Sequence, residues 1–224
     1  EQAFSVMGIG PQDNIFSIDA AELEQRLKKC PAIRRASVKR QISSNPTLVV
    51  DIDARIPVAW IDCPELGIHP GDATYGALAD KEGVIFPCME QVHMPYIREK
   101  RMPSVTLRPP SSGKLSYGVS IRELEAPMKL IELLSGTVTE YLPSIVSITT
   151  PNDWSFCVRF TNDCQATFSH YGLEHQVEKL SRALRHARQT HRKISSINLI
   201  PEHNIPVIFD NSYEDIPLAE PIEE

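Results

Sequence analysis

Residues 154–169 constrain what this chain can fold into more than any other stretch. Phe156, Val158 and Phe160 occupy alternate positions, Thr161, Asn162 and Asp163 form a polar break, and Cys164, Ala166 and Phe168 resume the alternation. Folded back on itself at the break, the segment sets Phe160 opposite Cys164, Val158 opposite Ala166 and Phe156 opposite Phe168. The other face carries Ser155, Arg159, Gln165 and Thr167. Such a hairpin needs a second layer on its dry face and water on its wet one. The covering layer is legible on either side of it. Leu173, Val177, Leu180, Leu184 and Ala187 stripe a long helix whose other side is basic, with Arg182, Arg185, Arg188 and Arg192, and bases near a helix C-terminus complement its dipole. Leu130, Ile131, Leu133 and Leu134 close an earlier helix that starts near Ile121 or Pro127 and stops at Gly136. After the long helix, Ser196–Leu199 and Ile205–Phe209 read as a closing pair of strands around Glu202, His203 and Asn204.

Residues 14–61 read as a separate compact unit. Asp19, followed by Glu22, supplies an acceptor and an acid for the start of a short helix. Leu23 and Leu27 give that helix its apolar face, and it stops at Cys30 before Pro31. Ala36 to Arg40 alternates as a half-buried strand, Ser43 to Pro46 forms a turn, and Thr47 to Ala54 alternates again with Leu48, Val50 and Ile52 on one face. Helix, strand, turn, strand is a small α+β module. The middle, residues 62–120, is rich in proline and glycine and poor in helical periodicity. Within it, Ala77–Phe86 predicts two short strands around a turn at Asp80 and Gly83.

Charge and cysteines narrow the functional classes. The 224 residues carry 23 basic and 29 acidic side chains, a net charge of -6. Asp210, Glu214, Asp215, Glu220, Glu223 and Glu224 account for all of it, since 29 less these six leaves 23 acids against 23 bases. Residues 210–224 are therefore expected to be an acidic, solvated tail. A balanced body gives no general argument for nucleic acid. No apolar run approaches the ~18 residues of a membrane span. Cys30, Cys63, Cys88, Cys157 and Cys164 are irregularly spaced without a CxxC pair, which fits buried small side chains better than a metal or redox site. Cys88 with His93 nearby is the strongest nucleophile candidate, but it lacks an orienting third group. The seven histidines place no i, i+4 pair on the long helix, so no metal or other cofactor is expected.

Several ordered motifs resemble the extracytoplasmic part of the bacterial cell-division family FtsQ, called DivIB in other bacteria. Asn14, Ile15, Phe16, Ser17, Ile18 and Asp19 are similar to the family's entry to the second helix of its POTRA domain. Pro31, Ile33, Ala36, Val38 and Arg40 resemble the step that follows. Pro46, Thr47 and Leu48, then Arg55, Pro57, Val58 and Ala59, resemble the next strand and its exit. Leu78, Asp80, Gly83 and Phe86 resemble a further family motif downstream. Ala54 stands where the family usually has Glu, and residues 41–45 lengthen the hairpin turn.

The resemblance implies an α+β fold: a truncated POTRA-like module at residues 1–62, its first strand missing, then a β domain at 63–209 with an antiparallel sheet packed by helices. It implies an upstream piece ahead of residue 1 with a single transmembrane helix, which places this portion outside the cytoplasm on the inner membrane. It implies no catalysis. Family members recruit the small coiled-coil division proteins FtsB and FtsL, and through them the septal peptidoglycan synthase pair. The implied mode is β-augmentation, a partner strand pairing with the sheet's last edge. The expected partner-binding residues are Ile200, Glu202, Asn204, Ile205, Val207 and Phe209, with Arg182 and Arg185 facing acidic partner groups. Lys28, Lys29, Arg34 and Arg35 form the expected membrane-proximal basic surface. A different reading is a POTRA-bearing component of outer-membrane protein transport or assembly, which usually repeats the module ahead of a membrane barrel.

Overall fold

A computed structural model describes residues 14, 16–42, 46–99, 101–136 and 142–210. The first described element, helix α1 (Ala20–Lys28), starts where Asp19 stands ready. Its carboxylate accepts the backbone N–H groups of Ala21 at 2.9 Å and Glu22 at 3.2 Å. Leu23 and Leu27 turn inward from this helix and meet Ala36 and Val38 of strand β1 (Ile33–Gln41). Strand β2 (Thr47–Ala54) pairs antiparallel with β1, setting Val38 opposite Val50 and Ala36 opposite Ile52. Glu24 reaches from α1 to accept the N–H of Val38 at 3.2 Å, so part of the outer edge of β1 is satisfied by a side chain.

The remaining strands form one nine-stranded sheet. In chain order they are β3 (Ala59–Asp62), β4 (Ala77–Ala79), β5 (Ile85–Pro87), β6 (Ser104–Thr106), β7 (Ile145–Thr149), β8 (Ser155–Phe160), β9 (Gln165–Ser169), β10 (Ile194–Asn198) and β11 (Val207–Phe209). Across the sheet the order is β11-β10-β9-β8-β7-β6-β3-β4-β5. Among the described residues three α-helices accompany them: α2 (Glu90–Glu99), α3 (Arg122–Gly136) and α4 (Leu173–Gln189). The α+β class and the β8–β9 hairpin are as expected, with Val158 opposite Ala166 and Phe156 opposite Phe168.

The sheet itself is mixed where an antiparallel one was expected. β3 with β6, β6 with β7 and β9 with β10 are parallel, because α2, α3 and α4 carry the chain back before β6, β7 and β10 respectively begin. Residues 59–62 also join this sheet through β3. Helix α2 was missed, since Pro95 interrupts a segment whose apolar positions are sparse.

The two faces of the sheet differ. One face, with Ile61, Ile85, Ile148, Phe156, Phe160 and Phe168, is buried under Leu124 and Leu130 of α3 and Leu173 and Leu180 of α4. On the other, Trp60, Leu78 and Phe86 pack with Cys88 and with Ala32 of the N-terminal unit, while Ile97 of α2 lies against the same cluster. From β6 to β10 this second face is polar, carrying Thr106, Thr149, Cys157, Thr167 and Asn198 in one cross-strand row.

Candidate partner-binding edge

A strand at the end of a sheet presents a row of main-chain donors and acceptors to any extended segment that arrives. The two ends of this sheet are finished differently. At β5 the edge is closed: the Ile85 carbonyl accepts the N–H of Gly118 at 2.8 Å, the Gly83 carbonyl accepts that of Ile121 at 3.1 Å, and Val84 bridges Ser120. Pro87, at the end of the strand, has no N–H to offer.

At the other end, β11 pairs with β10 alone among the described residues. The Pro206 carbonyl accepts the N–H of Asn198 at 3.0 Å, and the N–H of Asp210 donates to the Lys193 carbonyl at 2.8 Å. Strand alternation then turns the main-chain groups of Val207 and Phe209 away from β10, toward the open side. Their side chains lie half-buried against the core under α4, while Ile208 projects from the opposite face and is 64% exposed. The edge thus offers outward N–H groups at two alternate residues beside an exposed aliphatic one.

Side chains fix the surroundings of this strand. The Arg192 guanidinium lies over the Phe209 ring, 4.7 Å from its centroid. Lys193 approaches the Asp210 carboxylate at 3.9 Å. The buried Lys179 donates to the Pro201 carbonyl at 2.8 Å, anchoring the connection between β10 and β11 to helix α4. Asn198 holds the other end of that connection by accepting the Ile200 N–H at 3.1 Å, and Asn204 takes a left-handed conformation with φ of 53°.

The expected site residues fall around this edge unevenly. Val207 and Phe209 are in β11, whereas Ile205 precedes the strand and packs partly on the core, so the strand is shorter than the expected Ile205–Phe209. Pro206 is the reason, since its ring nitrogen cannot donate to β10. β10 likewise starts at Ile194, earlier than the expected Ser196, because a bulge between Ile194 and Ser196 breaks the alternation. Glu202 is exposed in the connection. Arg182 and Arg185 are exposed on α4, and Arg182 reaches back to Glu178 at 3.4 Å, so neither is ion-paired to the edge. Among the described residues the cations that attend β11 are Arg192, expected on the basic side of the long helix but lying beyond its end at Gln189, and Lys193. Asp210, expected in the tail, is tied into the fold by Lys193; residues 211–224 lie outside the described residues.

Of the four basic residues expected at a membrane-proximal surface, Lys28 is paired with Glu24 at 2.6 Å and Arg34 with Glu82 at 2.5 Å. Lys29 and Arg35 are exposed. The Cys88 and His93 pair is not an accessible nucleophile and base. His93 is 0% exposed, its Nδ1 accepts the Met89 N–H at 2.9 Å, and burial pushes the imidazole down to about 4.

A helix-and-hairpin unit ahead of a large mixed sheet flanked by helices defines a mixed α+β protein with an N-terminal POTRA-type region. Residues 1–53 match the family model of the POTRA domain, FtsQ-type. The chain therefore carries an FtsQ-type POTRA domain at its N-terminus, which points to the FtsQ/DivIB cell-division family, a generally non-catalytic group. No curated protein matches the chain. Among the described residues no helix is long and apolar enough to cross a membrane.

Proposed function

We propose that this chain is the extracytoplasmic part of a single-pass inner-membrane division scaffold. It captures a strand from small coiled-coil division proteins of the FtsB and FtsL type, and through them gathers the septal peptidoglycan synthase pair. The observation that carries this reading is the contrast between the two sheet ends, β5 closed by its own chain and β11 left with outward main-chain groups. Each added backbone hydrogen bond contributes about 1 kcal/mol net, so a short augmenting strand reaches useful affinity only with side-chain anchors. Ile208 is placed to meet such an anchor on the sheet's polar face. Arg185, exposed on α4, would give charge complementarity to acidic groups of a partner, while Glu202 and Asn204 are exposed in the connection that leads into β11. Lys29 and Arg35 in the N-terminal unit are available to anionic headgroups.

The test is a crosslinked pull-down from the source membranes with three baits: the native chain, Val207→Pro and Val207→Ala. Capture of small single-span coiled-coil proteins by the native chain and the alanine variant, with loss in the proline variant, supports augmentation. Equal capture by all three removes the edge from the mechanism. Capture of outer-membrane precursors instead transfers the chain to polypeptide transport.

A further inference from the structure

The junction between the N-terminal unit and the nine-stranded sheet is built around one arginine. Arg55 leaves the end of β2 and places its side chain, 14% exposed, against the carboxylate of Asp80, 6% exposed, at 2.5 Å. Its Nε–H donates to the Pro31 carbonyl at 3.1 Å, and its backbone N–H donates to the Ala32 carbonyl at 2.9 Å. Asp80 is itself fixed, because its other oxygen accepts the N–H groups of Glu82 and Val84, each at 3.0 Å, in the turn between β4 and β5. Arg34, on β1, pairs with Glu82 of the same turn at 2.5 Å.

Apolar contacts surround these bonds. Ala32, 1% exposed, packs with Trp60, Leu78 and Phe86 on the sheet. Gly118, in the segment that closes the β5 edge, has φ of +80°, and a Cβ there would lie 3.6 Å from Pro31. The segment thus passes close over Pro31 in a conformation that glycine adopts without strain. A charge pair this enclosed contributes little net stability, but it holds one geometry, because any displacement leaves a buried charge without its partner.

We infer that Arg55 locks the N-terminal unit and the sheet into one rigid body. Arg55 is a positioning residue: it joins Pro31 of one unit to the Asp80 turn of the other, and Arg34 with Glu82 braces the same joint. The relative orientation of the α1–β1–β2 unit and the β11 edge is then a fixed property of the chain. The consequence for partner capture rests on the function proposed above; the rigidity itself does not.

The experiment is residual dipolar coupling of the 15N-labelled chain, comparing amides of β1 and β2 with those of β7 to β9. The native chain is expected to fit a single alignment tensor. Arg55→Gln is expected to split it into two, with chemical shifts within each unit retained. Arg55→Lys keeps a charge beside Asp80 and so preserves the fold, but it loses the bond to Pro31 and is expected to lower the apparent order of β1 and β2 relative to the sheet. Two tensors in the native chain would overturn the single body. A single undiminished tensor in Arg55→Lys would overturn the role of Arg55 and leave the joint to apolar packing. Neither measurement involves the β11 edge, so failure here is distinguishable from failure of the proposed function.

Discussion

Asp19 accepts two of the N–H groups that every helix start leaves unbonded, and the α1 unit has only a small core to offset their loss. Asp19→Ala is expected to cost about 1 kcal/mol, read as a lower urea midpoint for the signal of the N-terminal unit. His93 makes stability depend on pH. It titrates at 6.5 when unperturbed and at about 4 in the fold, because burial disfavours the imidazolium. The folded state therefore binds fewer protons, its stability is whole above pH 6.5, and it falls as pH drops toward 4. Between pH 7 and pH 5 the loss is about 2 kcal/mol, and His93→Phe, which keeps an aromatic ring beside Phe86, should flatten it. Equal pH slopes in the two proteins, measured by urea unfolding, would remove His93 as the cause. Asp19 was legible from its place before an apolar periodicity. His93 was not, because a histidine's burial depends on a helix that Pro95 conceals, and Arg192 over Phe209 joins residues that only the β10–β11 pairing brings together.

Elements with an unbroken period were readable. β8, β9 and α4 sit where alternation and i, i+4 spacing placed them, and β1 and β2 likewise. Strands that were not foreseen, β6 and β7, or foreseen too short, β10, have identifiable physical causes. In β7 a bulge between Ile145 and Ser147 sets its two core-facing residues, Ile145 and Ile148, three apart instead of two, and in β10 the same happens to Ile194 and Ile197. β6 spans three residues, too few to show a period. In α4, Leu180 is fully buried against the sheet, so Leu180→Ala should cost about 2 to 5 kcal/mol in chemical denaturation; a change under 1 kcal/mol would mean that the helix does not cover that face. For β11 the comparison of Val207→Pro with Val207→Ala separates backbone from packing. The proline variant loses the outward N–H and should weaken partner binding on the order of tenfold or more, beyond whatever the alanine variant loses.

At the scale of the whole molecule, the sheet buries its β3–β5 end on both faces and leaves one face polar from β6 to β10. That asymmetry helps explain why residues 62–120 gave little periodicity: β4 and β5 are apolar on both sides, so inward and outward positions look alike. It also explains why a partner edge could be foreseen while its dimensions could not. The last strand of an apolar series is recognisable in the sequence, but which end of a sheet its own chain closes is decided by the path of residues 118–121, far from β11. The most direct measurement is amide hydrogen exchange at Val207 and Phe209, with and without the coiled-coil partner captured from the source membranes. Strong protection of both amides on binding, with Ile208 protected before and after, is the predicted result. A bound complex in which Val207 and Phe209 exchange as fast as in the free chain would contradict capture at this edge.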